Sequence, residues 1–373
     1  MDKNTQFSSF KQWLHPINFQ QLDQMVKEKQ SDKYVKKLTT KAYILLFLYA
    51  HLQQEDSLRS LSTSVLDDKL QEAIGLSSIS AAQLSRKNNA VDPQFLANIL
   101  LELVAKIKKK KKPDLSNALK IVDSTTVTLN PNQFPWAHFR KTKSGVKLHL
   151  RLAFMGKGQV FPEKAVITPA QVHDRTQLDV LVDEKNAMYV FDRGYIDYQA
   201  FDRFSENGMF FASRLKKNAV TQVLHSYDVP EKGNIITDQM IRLGDVLHRA
   251  DNAFRLITVL DDQGKTIRIV TNRFDLNSTE ISEIYKARWA IELFFKWIKQ
   301  HVRIKKFYGQ SEAAIQNQIY LALIYHCLMV LIQQETDTKH SLLKLNRWLK
   351  ALLWQSGKKL IQRIKFQRKP KIT

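Results

Sequence analysis

The stretch 285–299 carries Tyr285, Arg288, Glu292 and Lys299 at spacings that place them on one line of a helix. At 3.6 residues per turn, these four positions fall within an arc of ~60°. Charged groups are costly to bury, so a helix of the core would not carry Arg, Glu and Lys along one side. The pattern predicts a helix that holds a metal-binding carboxylate beside a phosphate.

The charge balance indicates a polyanionic partner. The chain has 373 residues, with 58 Lys and Arg against 36 Asp and Glu, for a net charge of +22. A field of that size attracts polyanions and speeds association with them. Nucleic acid is therefore the favoured partner, and an anionic membrane surface is the weaker candidate.

Cys327 is the one cysteine, which excludes a disulfide framework and a Cys-rich zinc site and fits a reducing cytoplasm. The first residues lack an apolar signal segment. The longest apolar run, 319–332, is interrupted by His326 and is too short to span a bilayer. It predicts a buried helix in which His326 and Cys327 are core residues.

Residues 1–107 read as a helical domain. Asp92 and Pro93 form a good helix start, with Asp as the cap and Pro at the first position. Ser80 can cap a short helix that carries Arg86 and Lys87, residue types that contact phosphates and base edges. This helix is either a DNA-recognition helix or a solvated surface helix. The lysine run and proline within 108–116 predict a basic linker.

After the linker the pattern changes to alternating strands and helices. Stretches 119–129, 146–154, 159–167 and 188–192 are strand-like, and 177–184 is helical. This order predicts an α/β sheet of mixed direction. Residues 219–265 form short strands and turns, with a hairpin around Gly264. The long helix of the signature should begin at Asn277 or Ser278.

Three acids have contexts that indicate a metal site. Asp123 lies within a strand, Asp192 ends an apolar strand before Gly194, and Glu292 is on the predicted helix. Three carboxylates suit Mg²⁺ or Mn²⁺, which prefer oxygen ligands. Each acid also has a simpler reading: a turn cap for Asp123, an Asx-turn for Asp192, and an ion pair with Lys296 for Glu292.

Asp174 offers a competing role. With Gln177 it has the spacing of a capping box, which is the preferred interpretation. A supporting position near the metals is the alternative.

With these residues in view, the chain resembles the DDE transposases of bacterial insertion sequences, in the group named after insertion sequence four. The group's signature is Tyr, two residues, Arg, three residues, Glu, six residues, Lys, and this chain matches it at every spacing. The surroundings of the first two acids also match, and residues 10–89 resemble the helical domain often attached to this catalytic domain. The resemblance covers nearly the whole chain.

The resemblance implies a ribonuclease-H-like catalytic domain over 117–335, with a β-rich insertion at about 219–265. Residues 336–373 are a basic C-terminal region, because the chain from Lys339 onward has 11 Lys or Arg and no Asp or Glu. It implies cut-and-paste transposition: hydrolysis at terminal inverted repeats, then strand transfer to target DNA, in some relatives through a hairpin. Two metal ions, Mg²⁺ or Mn²⁺, would serve this chemistry, held by Asp123, Asp192 and Glu292. A homodimer synapsed on DNA in a bacterial cytoplasm, at the nucleoid, is expected.

The remaining candidate residues are assigned to DNA. Arg288 can grip a phosphate with two hydrogen bonds, Lys299 supplies a point charge, and Tyr285 can donate to a phosphate. Trp289 either stacks on an unpaired base or belongs to the core. The other candidate contacts, for which a solvated cluster is the alternative, are Arg214, Lys216, Lys217, Arg86 and Lys87.

Two other functions compete with transposition. A structure-selective nuclease would cut without joining and would not need a separate recognition domain. A repressor derived from a transposase would show damage to the acids or truncation. The 107 residues before the linker and the intact acids favour the transposase.

Overall fold

The computed structural model describes residues 7–110, 119–140, 143–155, 160–246, 248–301 and 307–366. The chain divides into two compact units: Met1–Lys112 with Trp297–Thr373, and Pro113–Lys296. The described part of the first unit consists of helices and loops, and the second is built on a large sheet. The predicted α/β class is confirmed.

The helical unit is organised around two helices that are apolar on every side. The helices are α1 (Ser9–Leu14), α2 (Phe19–Glu28), α3 (Thr40–Gln53), α4 (Leu58–Ser64), α5 (Asp68–Ile74), α6 (Ala81–Ala90), α7 (Pro93–Lys109), α12 (Glu312–Glu335), α13 (Leu342–Ala351) and α14 (Gly357–Lys365). Nearly every residue of α3 is buried, as is most of α12. Such helices form the centre of a core rather than its surface.

Helix α12 contains the apolar run that the sequence singled out. By length and composition it could cross a membrane, but 89% of its most apolar window is buried inside the protein. His326 is 4% exposed and Cys327 is fully buried. The prediction of a buried core helix is confirmed.

The predicted helix starts in this unit are also confirmed. Ser80 caps α6 through a capping box with Gln83, and Asp92 caps α7, with Pro93 at its first position. Helix α7 continues to Lys109, so the first lysines of the basic run are helical, and residues 111–116 of the expected linker lie outside the described residues.

The second unit contains a ten-stranded sheet. Its strands are β1 (Leu119–Leu129), β2 (His138–Arg140), β3 (Lys143–Phe154), β4 (Val160–Pro169), β5 (Met188–Phe191), β6 (Phe210–Arg214), β7 (Thr221–Tyr227), β8 (Ile235–Leu243), β9 (Ala253–Leu260) and β10 (Thr266–Thr271). The strand order is β2-β3-β1-β5-β6-β10-β9-β8-β7, with β4 also paired to β3. Strands β1, β5 and β6 run parallel, and the other pairs are antiparallel.

Helices cover both faces of the sheet. They are α8 (Leu178–Leu181), α9 (Tyr198–Glu206) and α10 (Ser278–Lys286). The first part of α11 (Trp289–His301) belongs to the same unit. Leu181, Phe201 and Phe204 of α8 and α9 pack into one apolar cluster, and Ile281 and Tyr285 of α10 pack into another. Because apolar side chains of the central strands are buried on both sides, the strands hold a fixed register.

The segment predicted as short strands and turns forms part of the same sheet. Strands β7, β8 and β9 continue the sheet beyond β10, and the predicted hairpin is present as β9 and β10. Asp261 shapes its turn, accepting hydrogen bonds from the backbone N–H groups of Gln263 and Lys265.

The predicted continuous helix of the signature is wrong. Asn277 caps α10 with a capping box to Glu280, as expected, but α10 ends at Lys286 and α11 begins at Trp289. The turn between them is tightened by hydrogen bonds to the third preceding residue, from Arg288 N–H to Tyr285 and from Ile291 N–H to Arg288. Neither Gly nor Pro marks this break, so helical periodicity passes over it.

Asp202 on α9 connects this helix to the loop before β9. Its carboxylate is 7% exposed and accepts hydrogen bonds from the backbone N–H of Asp251 and of Asn252, each at 2.9 Å. We expect Asp202→Ala to destabilise the protein by about 3 kcal/mol, because two backbone N–H groups lose a buried, charged acceptor. Denaturant unfolding measures this. Asp179→Ala, which breaks an exposed pair with Arg203, is the control and should cost under about 1 kcal/mol. Equal losses would contradict the assignment.

Candidate active site

The parallel pairing of three strands lines up three polar residues. Val122 of β1 is in register with Phe191 of β5, which is in register with Ser213 of β6. The residue that follows each of these three positions is polar, and the register places the three next to one another: Asp123, Asp192 and Arg214. Carboxyl ends of neighbouring parallel strands are a common location for binding sites, because the following loops open there. The structure thus brings the first two predicted acids side by side.

Asp123 is in an environment that resists its negative charge. Its Oδ1 accepts a hydrogen bond from the backbone N–H of Ser124 at 2.7 Å. The pKa of Asp123 is raised to about 7, mainly by burial. The charges of Asp192 and Asp174 also raise this pKa, whereas the Ser124 N–H and Arg288 lower it. A cation placed here would stabilise the ionised form.

Asp192 forms the turn that the sequence offered as its simpler reading. Its Oδ1 accepts from the backbone N–H of Gly194 at 2.5 Å, at the start of a short 3₁₀ turn. A Cβ placed on Gly194 would lie 2.9 Å from that same oxygen. The turn fixes the carboxylate beside Asp123 and leaves its other oxygen available, so the Asx-turn and a metal site are compatible.

Arg288 connects the turn after α10 to both β1 and α11. Its Nη2 lies 2.6 Å from Oε1 of Glu292, and its Nη1 lies 3.9 Å from Oδ2 of Asp123. The expected simple partner of Glu292 was Lys296, whereas the partner in the structure is Arg288. Tyr285 is 8% exposed, with its ring 6.0 Å from the guanidinium of Arg288, and burial raises the pKa of its phenol.

The carboxylates of Asp123, Asp192 and Glu292 are suitable ligands for a metal ion, but they do not lie close enough together to form a complete site. Within the described residues, no three Asp, Glu, His or Cys side chains lie close enough together to hold an ion. The guanidinium of Arg288 supplies the positive charge between Asp123 and Glu292. The donor set fits a divalent cation chemically, since it offers carboxylate oxygens and a buried carboxyl with a raised pKa.

The remaining predicted DNA contacts occupy varied positions. Trp289 is 57% exposed, so its alternative as a core residue is wrong. Lys216 and Lys217 are exposed, and Arg214 is half-buried. Lys299 is half-buried on the part of α11 that belongs to the helical unit.

On α6 the two candidate contacts differ. The side chain of Lys87 is 11% exposed and pairs with Asp32 at 2.5 Å, whereas Arg86 is exposed. Lys87 thus ties α6 to the loop before α3, and Arg86 is the residue that faces solvent.

Sequence reasoning offered a position of Asp174 near the metal-binding acids as its alternative interpretation, but it missed the partners that hold Asp174 there. Asp174 does not form a capping box with Gln177, because the cap of that turn is His173, without a side-chain bond. Asp174 instead accepts from the hydroxyl of Ser124 at 2.7 Å and pairs with Lys147 at 3.2 Å. The preferred interpretation was wrong. Strand pairing over long separations creates this group, and no local spacing indicates it.

Comparisons with known proteins agree with this geometry. The family model of the transposase DDE domain matches residues 117–328, more than half of the chain. The chain belongs to the DDE transposases of insertion sequences. A second model, a domain of unknown function, matches residues 5–76 of the transposase.

Relatives with assigned names extend the match. A probable transposase for insertion sequence element IS5377 of Geobacillus stearothermophilus is 30% identical over 266 residues, 70% of either chain. A putative transposase for insertion sequence element IS4SA of Synechocystis is 27% identical over 292 residues, 76% of this chain and 79% of the relative. The cryo-EM structure of a piggyBac transposase synaptic complex with hairpin DNA covers 96% of this chain and 78% of its own, at 10% identity and a TM-score of 0.42, a likeness too weak to carry an argument.

Gly194 tests whether the position of Asp192 matters to the transposase. Gly194→Ala pushes a methyl group against Oδ1 of Asp192, a side-chain oxygen that can move aside. We expect DNA cleavage to fall roughly 100-fold, because small misplacements of reacting groups have such effects, with little loss of stability.

Gly264→Ala is the matched control: its φ of +72° strains the hairpin turn, but nothing lies within 4 Å of the new methyl group. It should lower the melting temperature and leave cleavage unchanged. Cleavage by Gly194→Ala at the wild-type rate would contradict the prediction.

Proposed function

We propose that this transposase moves its element by cut-and-paste transposition. It binds the terminal inverted repeats, hydrolyses a phosphodiester at each end and joins the freed 3′ ends to target DNA. The observation that supports this most is the placement of Asp123 beside Asp192, with Arg288 between Asp123 and Glu292. One strand acid and one helix acid that share a guanidinium, with a second strand acid alongside, form a setting for phosphodiester chemistry.

The proposed catalytic domain is ribonuclease-H-like and spans 117–335, with the strands of 219–265 as its insertion. Parallel β1, β5 and β6 with helices on both faces support this assignment. Residues 1–107 are proposed to recognise the element's ends, 108–116 to act as a basic linker, and 336–373 to form a basic C-terminal region. The compact helical unit includes 297–373 as well as 1–112, so the C-terminal helices share a core with the proposed recognition domain.

Asp123, Asp192 and Glu292 are the residues that would hold two Mg²⁺ or Mn²⁺ ions. When bound, such ions lower the pKa of the attacking water or hydroxyl and stabilise the leaving oxygen. The backbone N–H groups of Ser124 and Gly194 fix one oxygen of each strand carboxylate. Each carboxylate then presents its second oxygen, and the oxygens need no reorganisation during the reaction.

Arg288 is proposed to exchange partners when DNA binds. In the free protein its guanidinium holds Glu292 at 2.6 Å. A scissile phosphate offers the same planar, two-oxygen surface that a guanidinium prefers. Moving Arg288 onto the phosphate would free Glu292 as a ligand and stabilise the negative charge that develops on the phosphate. Tyr285, in contact with Arg288, would donate its hydroxyl to a neighbouring phosphate.

The DNA path is proposed to follow basic residues and one aromatic side chain. Trp289 is exposed at the start of α11, where an unpaired base could stack on its ring. Arg214, Lys216 and Lys217 would contact the backbone near the active site, and Lys299 would do so along α11. On α6 the contact would be made by Arg86, while Lys87 holds the helix in place through its pair with Asp32. Joining two ends in one reaction requires two active sites, so a homodimer synapsed on DNA is the proposed assembly.

The acids are tested by cleavage of a supercoiled plasmid that carries the element's two ends. Asp123→Asn, Asp192→Asn and Glu292→Gln should each abolish nicking, with or without added Mg²⁺, because each removes a charged ligand. Affinity for the ends should stay within a few-fold of wild type. Glu283→Gln, an exposed residue of α10, is the charge-matched control and should cleave normally. Wild-type cleavage by any of the three acid variants would overturn the assignment of that acid.

End recognition by α6 is tested with Arg86→Ala in the full chain. Loss of one phosphate contact should weaken binding to the ends and lower the slope of log affinity against log salt by about 0.9. Arg59→Ala, an exposed arginine on α4, makes the same change in charge and should leave the slope unchanged. Equal effects of the two variants would mean that α6 is a solvated surface helix.

A further inference from the structure

Asp174 lies at the point where two segments that carry catalytic acids approach each other. It begins the short turn that precedes α8, on the face of the sheet opposite α10. Its Oδ1 accepts the hydroxyl hydrogen of Ser124 at 2.7 Å, and Ser124 is the residue directly after Asp123. The backbone N–H of Ser124 in turn donates to Oδ1 of Asp123 at 2.7 Å. Asp174 therefore holds the side chain of the same residue whose backbone N–H orients the first acid.

The Oδ2 atom of Asp174 faces the Gly194 turn, which holds Asp192. A Cβ built on Gly194 would lie 3.7 Å from Oδ2 of Asp174 and 2.9 Å from Oδ1 of Asp192. The same glycine holds Asp192 through its backbone N–H. Asp174 is thus in contact range of both segments, Ser124 on one side and Gly194 on the other.

The surroundings of Asp174 stabilise it as a fixed acceptor. Lys147, whose side chain is 14% exposed, places its ammonium 3.2 Å from Oδ1, and this ammonium also donates to the backbone carbonyl of Val172. The imidazole of His149 is fully buried 3.5 Å away, and burial lowers its pKa to about 4. One fixed cation balances the carboxylate, so Asp174 keeps its place without needing a metal ion.

We propose that Asp174 is a positioning residue for the DNA-cleavage reaction, which holds Asp123 through the Ser124 hydroxyl and packs against the Gly194 turn that holds Asp192. The proposal rests on the proposed function, in which these two acids are catalytic. Without this support, the Ser124 side chain loses its tie to the Asp174 turn. The backbone at residues 123–124, whose N–H orients the Asp123 carboxylate, is then held less firmly, and the two acids lose their common geometry. The role needs an acceptor oxygen at Asp174 but not its negative charge.

That last point separates positioning from direct metal binding. An asparagine at 174 retains an acceptor oxygen for Ser124 and Lys147 but is a poor ligand for a hard cation. A positioning role predicts that Asp174→Asn works and Asp174→Ala does not. A ligand role predicts that both fail.

The experiment compares Asp174→Asn, Asp174→Ala, Ser124→Ala and the Ser124→Ala/Asp174→Ala double variant in the full-length protein. Three quantities are measured: the single-turnover nicking rate on end DNA, the affinity for that DNA, and the rise in melting temperature on adding Mn²⁺ without DNA. Asp179→Ala, another acid of the same segment, is the control. Asp123→Asn is included to test the proposed function itself.

We expect Asp174→Ala and Ser124→Ala each to nick about 10- to 100-fold more slowly and to show a smaller Mn²⁺-induced rise in melting temperature. The double variant should be no slower than the slower single variant, because both substitutions remove the same hydrogen bond between Ser124 and Asp174. Asp174→Asn should stay within a few-fold of wild type, and end affinity should not change. Ser124→Ala removes only a hydroxyl, so it decides the question if Asp174→Ala fails to fold.

Three results would overturn the proposal: Asp174→Asn as slow as Asp174→Ala, Ser124→Ala as fast as wild type, or additive losses in the double variant. If Asp123→Asn nicks normally, the proposed function fails. If Asp123→Asn is inactive while Ser124→Ala is fast, only the role of Asp174 fails.

Discussion

The candidate active site depends on the parallel pairing of β1 with β5. Since Val122 is in register with Phe191, Asp123 and Asp192 must emerge next to each other, and their charges repel. The strands cannot shift to relieve this repulsion. A slip of one residue would turn the buried side chains of β1 and β5 toward the wrong faces. Packing on both faces of the sheet thus maintains an electrostatic arrangement that is unfavourable by itself.

The repulsion is reduced by dipoles and by a fixed cation. The N–H groups of Ser124 and Gly194 each donate to one carboxylate, and the guanidinium of Arg288 lies 3.9 Å from Asp123. Burial nevertheless raises the pKa of Asp123 to about 7, so its charge is only partly stabilised. A site in this condition favours the arrival of further positive charge, which gives a physical reason for a divalent cation beyond the choice of ligands.

Local patterns in the sequence predicted much of this structure because their causes are local. The caps at Ser80, Asp92 and Asn277, the buried run of α12 and the hairpin of β9 and β10 each depend on neighbouring residues. The acids could be chosen because a carboxylate at the end of an apolar strand is expensive without a partner. Their mutual arrangement could not be derived, since strand order comes from pairings between distant segments. Asp174 shows the difference: its partner Ser124 is 50 positions away, whereas the capping interpretation considered only Gln177.

The break between α10 and α11 changes the meaning of the Tyr-Arg-Glu-Lys spacing. On an unbroken helix these residues would share one edge because of the helical repeat alone. In the structure, Tyr285 belongs to one helix and packs into the core, Arg288 lies in the turn, and Glu292 is on the next helix. From its position in the turn, Arg288 reaches Asp123 and Glu292 together. The spacing from Arg288 to Glu292 therefore spans a turn and lies within one guanidinium's reach. The helical periodicity that selected these residues predicted the wrong backbone.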